Sequence, residues 1–187
     1  SSMVTNVEGN MAKIVGELLK LFFPITGHSL QPAAGGIQFT SGGGEVFRLF
    51  AVFDMMLQDG GAHKIIWMCK GDAGTKFCLL CKNALALAST MCIDDEPMLR
   101  ANVLHEHELD FATNADVRGT VARINGYKIT DNKGTFKLRE QALGITWGPY
   151  NLLSDPDLNS VVNPCDQFCH DWMHCLIASG LFQLVFH

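Results

Sequence analysis

The stretch from Cys69 to Asn83, CKGDAGTKFCLLCKN, constrains this chain more than any other. Cys78 and Cys81 stand two residues apart behind a glycine-rich, basic loop. That spacing lets a tight turn aim two thiolates at one tetrahedral ion. Just upstream, Asp59 closes an apolar run, and open α/β sheets place their chemistry at the carboxyl ends of such strands. The two features together point to a metal-braced loop beside a candidate catalytic carboxylate.

The chain has 187 residues, 48% hydrophobic and only 18% charged, which excludes disorder over most of its length. It is long enough for one domain with a real core, or one and a half small ones. Net charge is −5 and the basic residues are dispersed, which argues against independent, tight DNA binding. Seven cysteines without a signal-peptide pattern point to a reducing compartment, with thiols or ligands rather than a disulfide framework. A secreted protein is therefore not expected. No apolar run reaches the roughly 20 residues that cross a bilayer. The longest, Leu176 to Phe186, is broken by Ser179, Gly180 and Gln183 and reads as a buried or surface-lying helix.

Residues 11–23 place Ile14, Val15, Leu18, Leu19, Phe22 and Phe23 on one helical stripe that Pro24 ends. Proline and glycine then mark a loop over 24–36. The runs Ile37–Thr40 and Glu45–Leu57 flank Ser41-Gly42-Gly43-Gly44 and suit a hairpin. The second run is apolar on both faces, which predicts a strand buried in the middle of a sheet. Asp59-Gly60-Gly61 breaks it, and a short helix can begin at Ala62. Further helices are expected over 83–91, 114–124, 136–143 and, briefly, 152–162 with Asp155 as a cap. A last one runs from Asp166 to about Phe186. The expected division is a flexible start over 1–10, a core with the cysteine loop over 11–92, and a helical extension over 93–187.

Cys78 and Cys81, with Cys69 nearby, are the best candidates for holding Zn²⁺. A closed site needs four donors, so others must come from His63, Cys92, His105, His107, Cys165, Cys169, His170, His174 and Cys175. On a helix, His170 and His174 share a face, as do Cys165 and Cys169. The plainer reading is a helix that packs Phe168, Trp172 and Leu176 inward. Asp59 also has an ordinary alternative as an Asp-Gly turn, and Asp54 could instead be the inward carboxylate. His105-Glu106-His107-Glu108 reads as surface.

The run from Gln58 to Asn83 (QDGGAHKIIWMCKGDAGTKFCLLCKN), followed later by His170-Asp171-Trp172-Met173-His174-Cys175-Leu176, resembles a known pattern. In this order the two are similar to the transposase-derived proteins multiplied in some protist genomes. Those in turn resemble the Kyakuja-Dileera-Zisupton and CACTA-type DDE transposases. The resemblance spans roughly residues 11–187. It implies an α/β fold with an incomplete RNase H-like core, its few strands near 36–57. Asp59 would match the second acidic residue of the DDE set, and Cys78 and Cys81 the Cys-x2-Cys pair. Asp171 and His174 would match the later Asp-x-Met-His motif. The implied chemistry is DNA strand transfer with Mg²⁺ or Mn²⁺ held between carboxylates, and the implied compartment is the nucleus, with an organelle as the alternative. Three departures stand out: Gly60-Gly61-Ala62 replaces a small-Pro-Ala sequence, no first Asp precedes residue 11, and no third-position Glu is recognisable.

The leading expectation is thus a fragment or domesticated derivative of a DDE-type transposase that is not catalytic by itself. Asp59 and Asp171 are its candidate catalytic residues; Cys69, Cys78, Cys81 and His174 are its candidate metal ligands. The alternative is a non-catalytic accessory subunit docked among protein partners in a larger assembly, membrane-associated or not.

Overall fold

The computed structural model describes residues 10–27, 29–85 and 106–171. They form a mixed helical and β architecture with two separate two-stranded sheets, compatible with an α/β class. The expected helix over 83–91 does not begin at Asn83: residues 83–85 are not helical, and Leu85 pairs with Lys76 in an antiparallel bridge. The rest of that helix, the one expected beyond residue 171, the start over 1–9, and Cys92, His105, His174 and Cys175 lie outside the described residues.

Helix α1, Asn10–Phe22, turns Ala12, Leu19 and the following Phe23 inward, while Leu18 and Phe22 of the predicted stripe stay about half exposed. The narrower inward stripe follows from what α1 packs on, the turns over 152–158. Gly16 lies so close to Leu152 that an added Cβ would come within 3.1 Å of its side chain. Lys20, in the last turn, bonds Glu17 and Asp155, each at 3.0 Å.

Strands β1, Ile37–Thr40, and β2, Val46–Leu49, pair antiparallel with Ile37 opposite Leu49 and Thr40 opposite Val46. Gly44 takes a left-handed φ of +84° and closes the turn onto Ser41. This hairpin corrects the expectation of a buried strand over 45–57: Phe39, Val46, Phe47 and Leu49 are all half exposed or more. Among the described residues each strand has one neighbour, and of the paired residues Ile37 packs against the core. Apolar character on both faces did not dictate burial.

Strand β3, Met56–Gln58, runs directly into the short helix α2, Gly60–Ile66. Helix α3, Asn114–Thr130, starts at a capping box in which Thr113 and Asp116 satisfy each other's backbone N–H groups. Its Val117, Val121 and Ile124 are buried one turn apart. Helix α4, Lys133–Leu143, is capped by the Asn132 side chain and ends at Gly144 in the left-handed region. Both helices were legible, although α3 continues through Gly126 to Thr130.

The predicted helix over 152–162 is instead two single turns, Leu152–Ser154 and Pro156–Leu158. Pro156 disfavours helical φ/ψ at the preceding Asp155. Asp155 does cap, its carboxylate accepting from Asp157 N–H at 2.9 Å. The predicted C-terminal helix is corrected as well. Helix α5 spans only Pro164–Gln167, and Phe168–His170 forms strand β4, parallel to β3. Cys165 with Cys169, and His170, therefore do not share the helical face that their spacing suggested. Pairing with β3 outweighed the local pattern.

One core holds these elements. Trp67, Val121, Ile124, Ile145, Leu152, Leu158 and Val162 are buried together, drawn from both sides of the expected boundary at 92/93. No helix among the described residues is long and apolar enough to cross a membrane.

Candidate functional site

The carboxylates come first, because strand pairing alone sets their positions. In the parallel pair Gln58 lies opposite His170, and Asp59 and Asp171 are the next residues of the two strands. The Asp171 N–H donates to the Gln58 carbonyl at 2.8 Å, extending the ladder to that point. Two acidic residues far apart in sequence thus stand side by side at the C-terminal edge of adjacent parallel strands. Open α/β sheets bind ligands at this edge. Asp59 also caps α2: its Oδ1 accepts from Ala62 N–H at 2.6 Å. That bond uses one carboxylate oxygen.

His63, one turn into α2, is almost wholly buried. Its Nε2 lies 2.9 Å from the Cys169 carbonyl, which can only accept, so Nε2 carries the proton and donates. Nδ1 is then a buried lone pair without a partner among the described residues. Burial first, and the neighbouring His170 ring second, push the His63 pKa down and keep the ring neutral. Its ring lies 3.9 Å from that of Phe168 and 4.4 Å from that of His170. His63 entered the sequence reading as a candidate metal donor; the fold uses it to strap α2 onto β4. This strap holds the helix that Asp59 starts against the strand that Asp171 ends.

The thiol loop is stitched to the rest of the chain along two seams. On one side, Lys70 N–H donates to Gly144, Thr75 N–H to Gln141 and Thr146 N–H to Met68, at 2.8, 2.8 and 2.6 Å. On the other, Lys82 N–H donates to Asp110 at 2.7 Å and Ala112 N–H to Leu80 at 2.8 Å. The Asn83 side chain adds bonds to the backbone of Glu108 and Asp110. Cys69 is buried, and that burial pushes its thiol up to about 11. The sulfurs of Cys78 and Cys81 approach to 3.2 Å. Burial, then the adjoining Cys78 sulfur, raises Cys81 to about 12.

Between α2, the thiol loop and β4 lies a cavity of about 540 Å³, lined among others by Gly60, His63, Cys69, Phe77, Cys78 and His170. This is within the size range of small-molecule sites. Cys69 and Cys78 therefore open onto one space together with the first turn of the helix that Asp59 caps. Asp59 itself stands at the rim of that arrangement and does not line the cavity. The carboxylate edge and the thiol turn are neighbours joined through α2 rather than parts of one pocket.

The remaining candidates are dispersed. Asp54 is exposed, so it is not an inward carboxylate, and His107 and Glu108 are exposed as their surface reading expected. Cys165 sits on α5 with its backbone N–H bonded to Asn114. Among the described residues no three His, Cys, Asp or Glu side chains converge as a metal site requires. Two sulfurs bound to one tetrahedral zinc lie about 3.8 Å apart, wider than the 3.2 Å between Cys78 and Cys81. Asp59 and Asp171 are two carboxylates at adjacent strand ends, fewer than a two-metal set requires.

Sequence reasoning passed over Gln167. It is buried, its Nε2 donates to Phe53 and Val161 carbonyls at 2.7 and 2.8 Å, and its Oε1 accepts from Asn163 N–H at 2.6 Å. A glutamine in a polar stretch carries no pattern that announces such a hub. Comparison with protein-family models, curated proteins and solved structures gives no match for this chain.

Proposed function

We propose that this chain is a fragment or domesticated derivative of a DDE-type transposase, retaining part of a DNA strand-transfer centre without being catalytic on its own. The observation that carries this reading is the register of β3 and β4, which sets Asp59 beside Asp171 at one sheet edge. These are the two acidic residues that the motif resemblance singles out. A carboxylate pair at such an edge can hold one divalent cation, and strand transfer with two ions needs a further carboxylate. The Cys78–Cys81 turn, with His174, would brace the loop beside it through Zn²⁺.

The test is Mn²⁺ binding followed by electron paramagnetic resonance, with nicking of short duplexes as a second readout. Asp59→Asn keeps an oxygen that can cap α2, so the fold should survive. Each of Asp59→Asn and Asp171→Asn is expected to weaken Mn²⁺ by at least about tenfold, as loss of a ligand or its support does. The unaltered chain should leave the duplex intact. Equal Mn²⁺ affinity in all three proteins removes the support for the reading.

One observation favours a second reading, a structural subunit recruited into a larger protein assembly. The β1–β2 hairpin shows Phe39, Val46, Phe47 and Leu49 to solvent. An isolated two-stranded hairpin is marginal in water, and protein neighbours would stabilise it. Sedimentation and amide exchange decide this: a monomer with a protected hairpin at micromolar concentration counts against a subunit role.

A further inference from the structure

The Cys78–Cys81 pair carries chemistry of its own whether or not a metal is ever bound there. The sulfurs lie 3.2 Å apart, and a disulfide requires about 2.05 Å. Closing that gap asks for little movement in a turn already fixed on both sides by backbone hydrogen bonds. The two thiols also differ in access. Cys78 is half-buried and lines the 540 Å³ cavity, whereas Cys81 is only 7% exposed and forms a backbone bridge with Phe111. An accessible thiol backed by a buried partner is the arrangement of an attacking and a resolving cysteine.

We infer that Cys78 and Cys81 form an oxidisable dithiol: Cys78 is the site of modification by a small-molecule disulfide, and Cys81 resolves the adduct. In the first step the Cys78 thiolate attacks one sulfur of a disulfide such as oxidised glutathione. Its S–S bond breaks, one glutathione thiolate leaves, and a mixed disulfide forms on Cys78. In the second, Cys81 gives up its proton to solvent and attacks the Cys78 sulfur, expelling the other glutathione. The two cysteines lose two electrons and the reagent gains them, yielding two glutathione thiols. The closed pair has no thiolate left to offer a metal, so oxidation and metal loading of this turn exclude one another. Buried Cys69, on the same cavity, is the wrong partner because its sulfur bonds back to the His63 carbonyl.

The full chain, reduced, stripped of metal with a chelator and desalted, is incubated with oxidised glutathione and mapped by peptide mass spectrometry. A Cys78–Cys81 disulfide is expected in the unaltered chain. Glutathione on Cys78 should stay roughly tenfold below the level reached in Cys81→Ser, where no resolving thiol closes the ring. In Cys78→Ser, Cys81 is expected to remain a free thiol. Circular dichroism checks that the variants fold, and the unaltered chain by itself can overturn the assignment. It does so if glutathione accumulates on Cys78 without ring closure, or if both cysteines stay reduced while Cys165 and Cys169 are modified.

Discussion

Replacing Gly144 by alanine is expected to lower stability by roughly 3 kcal/mol or more, the range reached when a left-handed position and a steric conflict coincide. Gly144 ends α4 at φ +72°, where a Cβ is strained whatever the surrounding space. There is also no space: the added Cβ would collide with the backbone carbonyl of Lys76, inside the thiol loop. A backbone atom held by its own loop cannot swing away as a long side chain can. The Gly144 carbonyl meanwhile receives Lys70 N–H at 2.8 Å, so a shift that relieved the collision would loosen that seam. Chemical denaturation measures the loss. A second signature is specific to this site: Cys78 and Cys81 should react faster with a thiol reagent in Gly144→Ala under native conditions. A variant as stable as the unaltered chain would show that the loop does not rest on α4 as described.

The other large effect is expected at Gln167. Gln167→Met keeps the volume and removes both polar atoms, leaving the Phe53 and Val161 carbonyls and the Asn163 N–H without their side-chain partner. An unsatisfied buried group costs about 1–3 kcal/mol. Partial access of water to the half-buried backbone of Phe53 and Asn163 reduces the total, so a loss of roughly 3 kcal/mol is expected. Gln167 precedes β4, and Phe53 lies just before β3. Loosening their link should disturb the register that sets Asp59 beside Asp171. Under conditions where Gln167→Met is folded, it should therefore bind Mn²⁺ more weakly as well. Unchanged stability would deny Gln167 its role as the clamp between the two strands.

The elements legible in the sequence are those whose causes are local. Pro24 ends α1, the Thr113–Asp116 box begins α3, Asn132 and Gly144 bracket α4, and Asp155 caps the turn after it. Asp59 followed by two glycines broke the apolar run and opened a short helix, as expected. The Cys-x2-Cys spacing likewise foretold two converging sulfurs. In each case the signal and the structure it produces lie within a few residues. A capping bond or a positive φ needs no distant partner.

The expectations that failed depended on a neighbour. The apolar run over 45–57 predicted a buried strand, and the hairpin it forms is exposed except where Ile37 meets the core. Phe168–His170 carry a helical pattern, and they became a strand because β3 offered an unpaired edge. His63 and Gln167 took their roles from carbonyls on segments distant in sequence. By itself the sequence determined where α1 stops, where α3 and α4 are capped, and that two thiols would meet. Only the tertiary structure decided that Asp59 and Asp171 stand together, because backbone pairing between strands 112 residues apart leaves no trace in either local pattern.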